Sequence, residues 1–185
     1  MKKIWNRNVL IFLMLCGLWF LAGCPDQPQE KNSNQDNSLN GIEQQVFDQI
    51  NRYRTSQGLS ALVIDDRIVS QARTHSEDMA QGVTAFSHEG FNDRIAATGI
   101  SYLSAAENIA TNQGYDDPAT QAVDGWLKSP GHLQNIRGNF NFTGIGVAQN
   151  QAGGYYFTQM FMLTTLNSQG DAPSKGWDWS RFKFW

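Results

Sequence analysis

The sequence predicts an α+β domain in which helices cover a small antiparallel sheet. Apolar residues recur every three or four positions in the first two thirds of the chain, whereas β-rich runs occur only in the last third. No alternation of strand and helix and no internal repeat is present, which argues against a parallel sheet or a solenoid. We assign this domain to residues 41–165.

Four helices are predicted from apolar spacing and from end signals. An Asp before the first apolar residue caps a helix, Pro is favourable at the first helical position, and Gly is typical just after the end. The predicted helices are residues 40–57, a helix capped by Asp65 or Asp66 that ends near Gly82, residues 91–97, and a helix capped by Asp117 that begins at Pro118 and is stopped by Pro130 and Gly131.

Two β-rich runs follow the helices. Residues 144–148 and residues 155–162 are rich in β-branched and aromatic side chains, and residues 150–154 between them contain Asn and Gly. This arrangement predicts an antiparallel hairpin.

The first 23 residues have the order of a secretory signal, with three basic residues before an uncharged apolar run. The run ends in Leu21-Ala22-Gly23-Cys24, which resembles the lipobox of bacterial lipoproteins. We therefore expect cleavage after residue 23 and a lipid on Cys24 that holds the protein at a membrane. The alternative is an ordinary cleaved signal with an incidental cysteine. An Asp directly after the lipidated cysteine would resemble an inner-membrane retention signal. Position 25 is Pro instead, so in a cell with two membranes we expect the protein to be anchored in the outer membrane.

Residues 24–40 are predicted to be a flexible tether, because they are polar and bury too little surface to offset chain entropy. The chain has 14 Lys and Arg against 17 Asp and Glu, and removal of the signal takes away three of the basic residues. The remaining acidic balance argues against a nucleic-acid partner. Loss of Cys16 and lipidation of Cys24 leave no internal disulfide, so packing must hold the fold.

Three residues are candidates for a functional site. His88 and His132 occur in turn-like sequence, where sites are often built. Glu107 begins a segment that is otherwise apolar, and a buried carboxylate needs a partner. Asn108 is expected to hold the backbone near Glu107. His75, on the second predicted helix, is expected to be a core residue rather than a ligand.

Further motifs occur in a fixed order along residues 42–163. They are Asn51 with Arg54, Ala72 with His75 and Met79, Phe86-Ser87-His88, Glu107-Asn108-Ile109, Gly125-Trp126-Leu127, Ser129-Pro130-Gly131-His132, Asn135-Ile136, Gly144-Ile145-Gly146-Val147-Ala148, and Tyr156-Phe157-Thr158-Gln159-Met160-Phe161. This ordered set resembles the CAP superfamily, whose members are also called SCP/PR-1-like proteins.

The resemblance implies a three-layer α-β-α sandwich with a central cleft that holds two histidines and two acidic residues. The fourth cleft position falls on Ser129, where many relatives have Glu, so Asp124 or Glu89 would have to supply the missing charge. The matching positions in this chain are His88, Glu107 and His132.

Two interpretations of this cleft are open. The two histidines and the carboxylate are a reasonable set for zinc, provided that both imidazoles are neutral and that water fills the remaining position. Alternatively, Glu107 fixes the tautomers of both histidines in a purely hydrogen-bonded cluster.

The expected function is a binding module at the cell envelope, and the resemblance allows a lipid, protein or glycan ligand. The alternative is a metal-dependent, peptidase-like hydrolase. Ser87 and Ser129 are the nearby hydroxyl nucleophiles, but the chain has neither a nucleophile elbow nor a His-Glu-x-x-His helix.

Residues 166–185 form an aromatic and basic tail beyond the resemblance. Such a tail either settles at a membrane interface or packs back on the domain, and we favour packing because the aromatic residues would otherwise form a large exposed patch.

Overall fold

The computed structural model describes residues 33–165, and this part of the chain contains five helices and four strands. In chain order they are α1 (Ser33–Ser56), β1 (Val63–Ile64), α2 (Asp66–Gln81), α3 (Phe91–Ala97), β2 (Ser104–Asn112), α4 (Pro118–Lys128), α5 (Pro130–Arg137), β3 (Phe142–Gln149) and β4 (Tyr155–Leu163). The α+β prediction is confirmed.

The four strands form one sheet in the order β1-β3-β4-β2. Strands β3 and β4 are the predicted antiparallel hairpin, and β2 pairs antiparallel with the other side of β4. The short strand β1 pairs parallel with the start of β3. Strand β2 is therefore an edge strand.

Helices cover both faces of the sheet, as the three-layer prediction requires. Because side chains alternate between the faces of a strand, successive residues of β4 enter different cores. Phe157 and Phe161 pack in the core that contains Trp126 of α4. Met160 packs on the opposite face with Ala72 of α2. Helices α1, α4 and α5 thus form one outer layer, and α2 and α3 form the other.

Helix α2 lies directly against the backbone of β3, and two glycines make this approach possible. A Cβ on Gly146 would lie 2.2 Å from the carbonyl carbon of Ala72 and 2.2 Å from the backbone nitrogen of Arg73. A Cβ on Gly144 would lie 2.3 Å from the backbone nitrogen of Val69. Any side chain at these positions would push the helix away from the sheet.

The predicted helix caps are present. The Asp65 carboxylate accepts a hydrogen bond from the backbone N–H of Arg67 at 2.9 Å, and the Asp117 carboxylate accepts one from that of Thr120 at 2.9 Å. Gly82 ends α2 in the left-handed conformation, with φ of 72°. These local signals were readable in the sequence because each satisfies backbone groups at a helix end.

Arg54 is a structural residue. Its buried guanidinium holds together the loops that follow α1 and α5, and Asn51 exchanges two hydrogen bonds with the backbone of Leu62. The carbonyl acceptors of Arg54 belong to Ser60, Ile136, Gly138 and Phe140.

Helix α1 begins at Ser33, earlier than the predicted residue 40. Leu39 packs against the core, and the side chain of Asn40 accepts a hydrogen bond from Arg73 at 2.6 Å. Residues 33–40, which were predicted to belong to the tether, are therefore helical. The predicted signal, Cys24, the rest of the tether and the C-terminal tail lie outside the described residues. Between residues 33 and 165, none of the helices has the length and apolar character needed to cross a membrane.

Strand β2 and helix α5 were not predicted. The start of β2, Ser-Ala-Ala-Glu-Asn, consists of residues that are not enriched in strands, and pairing with β4 overrides this weak preference. Pro130 not only follows the end of α4 but also occupies the first position of α5, which Pro favours. His132 is consequently a helical residue, whereas the sequence predicted that it lies in a loop.

Candidate functional site

The predicted cleft residues lie on or next to β2, the edge strand of the sheet. Glu107 pairs with Met160 and faces the α2 and α3 layer, whereas Asn108 pairs with Gln159 and faces the α5 layer. His88 lies in the loop before α3, and His132 lies in the first turn of α5. A loop, a strand and a helix therefore supply the three predicted residues.

Both carboxylate oxygens of Glu107 are occupied. The side chain is only 2% exposed, and its Oε1 lies 2.9 Å from Nδ1 of His88. Arg94 donates from Nη2 to Oε1 at 2.8 Å and to Oε2 at 2.9 Å, and from Nε to Oε2 at 3.2 Å. This charge-assisted bidentate geometry compensates for the burial of the carboxylate.

Arg94 is the functional residue that sequence reasoning missed. It lies on the short helix α3, and its Nη1 also donates to the backbone carbonyl of Glu89 at 2.7 Å. The only available signal was the requirement that buried Glu107 have a partner, which does not say which residue supplies it.

The two histidines have different environments. The half-exposed side chain of His88 places its Nδ1 2.9 Å from Oε1 of Glu107. Burial, and then the charge of His88, lower the pKa of His132, so its ring is neutral at neutral pH. Among the hydrogen bonds of residues 33–165, none joins Glu107 to His132. The interpretation in which Glu107 fixes the tautomers of both histidines stays a prediction.

Amide side chains hold the backbone around Glu107. Asn108 donates to the carbonyl of His132 at 3.2 Å, as its predicted supporting role requires. Asn135, which had no predicted role here, donates to the carbonyl of Glu107 at 3.1 Å and to Oδ1 of Asn108 at 2.9 Å. These bonds tie β2 to α5 and fix the backbone that carries His132.

Ser129 lies at the junction of α4 and α5. Asp124 is exposed and lies 3.7 Å from the ammonium of Lys128. Glu89 contacts Arg94 through its backbone carbonyl. The fourth cleft position is a serine, three residues before His132 in the chain.

A groove of about 610 Å³ adjoins His132 and Ser129. Its lining includes the end of β2 and the residue that follows it, Ile109 to Gln113, and Trp126 of α4. Two aromatic side chains, Phe86 and Tyr115, also line the groove and are about half exposed. The groove therefore offers aromatic surface, backbone groups and a neutral imidazole in one place.

The donor set, as arranged, does not fit zinc. Arg94 binds both oxygens of Glu107, so a cation there would have to displace a guanidinium of the same charge sign. Within residues 33–165, no group of three or more His, Cys, Asp or Glu side chains is placed to share a metal ion. The predicted zinc site requires Arg94 to leave Glu107, and it stays a prediction.

His75 is buried, as predicted, and its Nε2 lies 3.0 Å from the carbonyl of Ser87. Burial, and then the positive charge of Arg94, lower the pKa of His75 from its ordinary value. The unfolded chain therefore binds more protons at this residue than the folded chain does when the pH falls below about 6.5.

We accordingly expect His75 to make the protein less stable in mild acid. The free energy of unfolding, measured by urea denaturation, should decrease from about pH 7 to about pH 5 and level off below the folded pKa. The decrease should be smaller in His75→Gln. An equal pH dependence in the two proteins would contradict this assignment.

Comparison with known proteins identifies the family. A family model described as the cysteine-rich secretory protein family, CAP, matches residues 47–161. The uncharacterized protein YkwD of Bacillus subtilis (strain 168) is 36% identical over 130 residues, which cover 68% of this chain and 48% of that protein. The chain thus spans about half the length of the curated relative it matches.

Solved structures agree with the family match. The crystal structure of an extracellular protein containing an SCP domain from Bacillus anthracis str. Ames has a TM-score of 0.64 and 28% identity, and it covers 75% of this chain and 45% of that one. An outer surface protein of Borrelia burgdorferi shares the fold, with a TM-score of 0.60, 19% identity, and coverage of 68% of this chain and 94% of that one. The ordered motifs, the three-layer fold and these matches show that the chain belongs to the CAP family of cysteine-rich secretory proteins.

Proposed function

We propose that this protein is a lipid-anchored, extracellular CAP-domain protein whose cleft binds a component of the cell envelope without transforming it. The observation that carries the proposal is the state of Glu107, since His88 and Arg94 occupy both of its oxygens. The proposed ligand is a lipid, a protein or a glycan, and no nucleic acid is involved.

Two observations support the proposed location. The Bacillus anthracis structure is described as an extracellular protein, and the Borrelia burgdorferi structure as an outer surface protein. In this sequence, the first 23 residues have the order of a secretory signal, and Cys24 follows them. These features support export and lipid attachment. In a cell with two membranes, we propose the outer membrane as the site of anchoring.

Binding is favoured over hydrolysis because the cleft carboxylate is poorly placed to act as a general base. Such a base must reach a proton of the substrate or of a water molecule by a hydrogen bond. Glu107 is 2% exposed and both of its oxygens already accept hydrogen bonds. The runner-up, a metal-dependent hydrolase, would need zinc at His88 and His132, with the neutral ring of His132 beside Ser129 in the groove.

Zinc titration and substrate cleavage distinguish the two functions. We expect no turnover of casein, peptidoglycan fragments or phospholipid vesicles, with or without zinc. Calorimetric titration with zinc should give the same small heat for the wild type and for the variant that combines His88→Ala with His132→Ala. Stoichiometric zinc binding that weakens as the pH falls and disappears in the double variant would establish the metal site. Zinc-dependent turnover would establish the hydrolase.

Lipid attachment is tested by metabolic labelling with an alkynyl palmitate. We expect the wild type to be labelled and to sediment with membranes, whereas Cys24→Ser should be unlabelled and released. Cys16→Ser is the matched control, because the predicted cleavage removes this residue with the signal, and it should behave as the wild type. Labelling of Cys24→Ser would contradict the proposed anchor.

A further inference from the structure

The outer edge of β2 has a regular pattern of backbone groups. The carbonyl of Glu107 accepts a hydrogen bond from Asn135 of α5, and the carbonyl of Ile109 accepts one from Trp126 of α4 at 2.9 Å. Neither donor belongs to β4. Because backbone groups alternate along an antiparallel strand, the odd-numbered residues of β2 turn their N–H and C=O groups away from β4. Thr111 is the next odd-numbered residue.

The outward backbone groups of β2 differ between the two ends of the strand edge. Side chains from α5 and α4 cap the carbonyls of Glu107 and Ile109, which protects that part of the edge. Thr111 is exposed, and no hydrogen bond within residues 33–165 reaches its backbone N–H or C=O. The open donor and acceptor lie where β2 forms the wall of the groove.

The groove has the size and the lining of a ligand site. Its volume of about 610 Å³ falls within the range of about 300–1,000 Å³ that is usual for ligand pockets. Phe86, in the connection between α2 and α3, and Tyr115, in the connection between β2 and α4, are about half exposed and add apolar surface to the groove. Large aromatic side chains left in solvent beside a groove often mark a contact surface.

We propose that this groove binds an extended peptide segment of a partner protein, which adds to the sheet as a short strand beside Thr111. An extended peptide presents an N–H and a C=O at the spacing of the Thr111 pair, which is the basis of recognition by strand addition. Its alternate side chains would contact Phe86 and Tyr115. This inference rests on the proposed binding function and names the class of ligand.

The backbone N–H of Thr111 gives a specific test. In Thr111→Pro the outward N–H is lost while the bonds between β2 and β4 are kept, because proline is tolerated where an edge strand faces solvent. Thr111→Val keeps the N–H and suits a strand, so it is the matched control. Thermal unfolding should show that both variants retain the fold.

The probe is a library of N-acetylated, C-amidated hexapeptides, with binding to the full chain in detergent measured by fluorescence polarisation. We expect selected peptides to bind the wild type and Thr111→Val equally and to bind Thr111→Pro about tenfold more weakly, the loss expected for one or two backbone hydrogen bonds. N-methylation at one position of the peptide should weaken binding similarly.

Three outcomes would overturn the peptide assignment. They are the absence of any peptide binder, equal binding by a folded Thr111→Pro, and occupation of the groove by N-acetylglucosamine oligosaccharides or phospholipid vesicles instead of peptides. The last outcome would still support a binding module. Turnover in the cleavage screen described above would instead overturn the proposed function, so the two failures are distinguishable.

Discussion

Replacing Arg94 with leucine should lower the free energy of unfolding by about 3–5 kcal/mol, the usual cost of leaving one partner of a buried ion pair alone. Arg94 is 12% exposed and Glu107 is 2% exposed, so water cannot take over the role of the guanidinium without local opening. The carboxylate would lose three hydrogen bonds and retain only the contact with His88. Urea denaturation at neutral pH measures the change.

Two further variants separate the loss of the ion pair from the loss of packing. Adding Glu107→Gln to Arg94→Leu should recover part of the stability, because the buried negative charge is removed. Lys128→Leu breaks an exposed contact with Asp124 and should change stability by less than about 1 kcal/mol. If Arg94→Leu has as small an effect as Lys128→Leu, the carboxylate is not dependent on Arg94.

The same variant connects stability with metal chemistry. Without the guanidinium, both oxygens of Glu107 face a site that contains two histidines and no competing positive side chain from α3. Because the guanidinium no longer competes for Glu107, we expect Arg94→Leu to bind zinc more tightly than the wild type does. In the wild type, Arg94 compensates the buried charge of Glu107.

Local signals in the sequence predicted the helix ends and the hairpin, because a cap or a turn depends on a few neighbouring residues. Asp65, Gly82 and Asp117 each satisfy backbone groups within one turn, and the bounds of α3 were predicted as Phe91–Ala97. Strand β2 depends instead on pairing with β4, about 50 residues later in the chain. Propensity alone therefore could not place it.

The sequence indicated candidate residues for the site but not the hydrogen bonds that they make. The motif order brought His88, Glu107 and His132 to one cleft, yet the sequence did not reveal that Arg94 would occupy the carboxylate. The partner of a buried charge is chosen by the packing of α3 against β2, and a seven-residue helix with one arginine gives no sign of that choice. The groove was missed for the same reason, since its wall is the edge of an unpredicted strand.

Gly146→Ala is expected to destabilise the protein by about 4 kcal/mol or more, an exceptional effect for a single methyl group. The new Cβ would lie 2.2 Å from backbone atoms of Ala72 and Arg73, and backbone atoms have no alternative rotamer that relieves the contact. Helix α2 would have to move away from β3. That movement would disturb the loop after α2, which carries His88, so the cleft would lose its geometry together with the core.

Gly125→Ala is the matched control, because it adds the same methyl group within helix α4, where no atom beyond the neighbouring residues and the helix's own backbone lies within 4 Å of the new Cβ. That variant should be stabilised by about 0.5–1 kcal/mol, since alanine favours the helix and restricts the unfolded chain. Thermal and urea denaturation of both variants measure the contrast. A Gly146→Ala protein as stable as the wild type would mean that α2 does not rest on the β3 backbone, and the layer that positions His88 and Arg94 would then need another explanation.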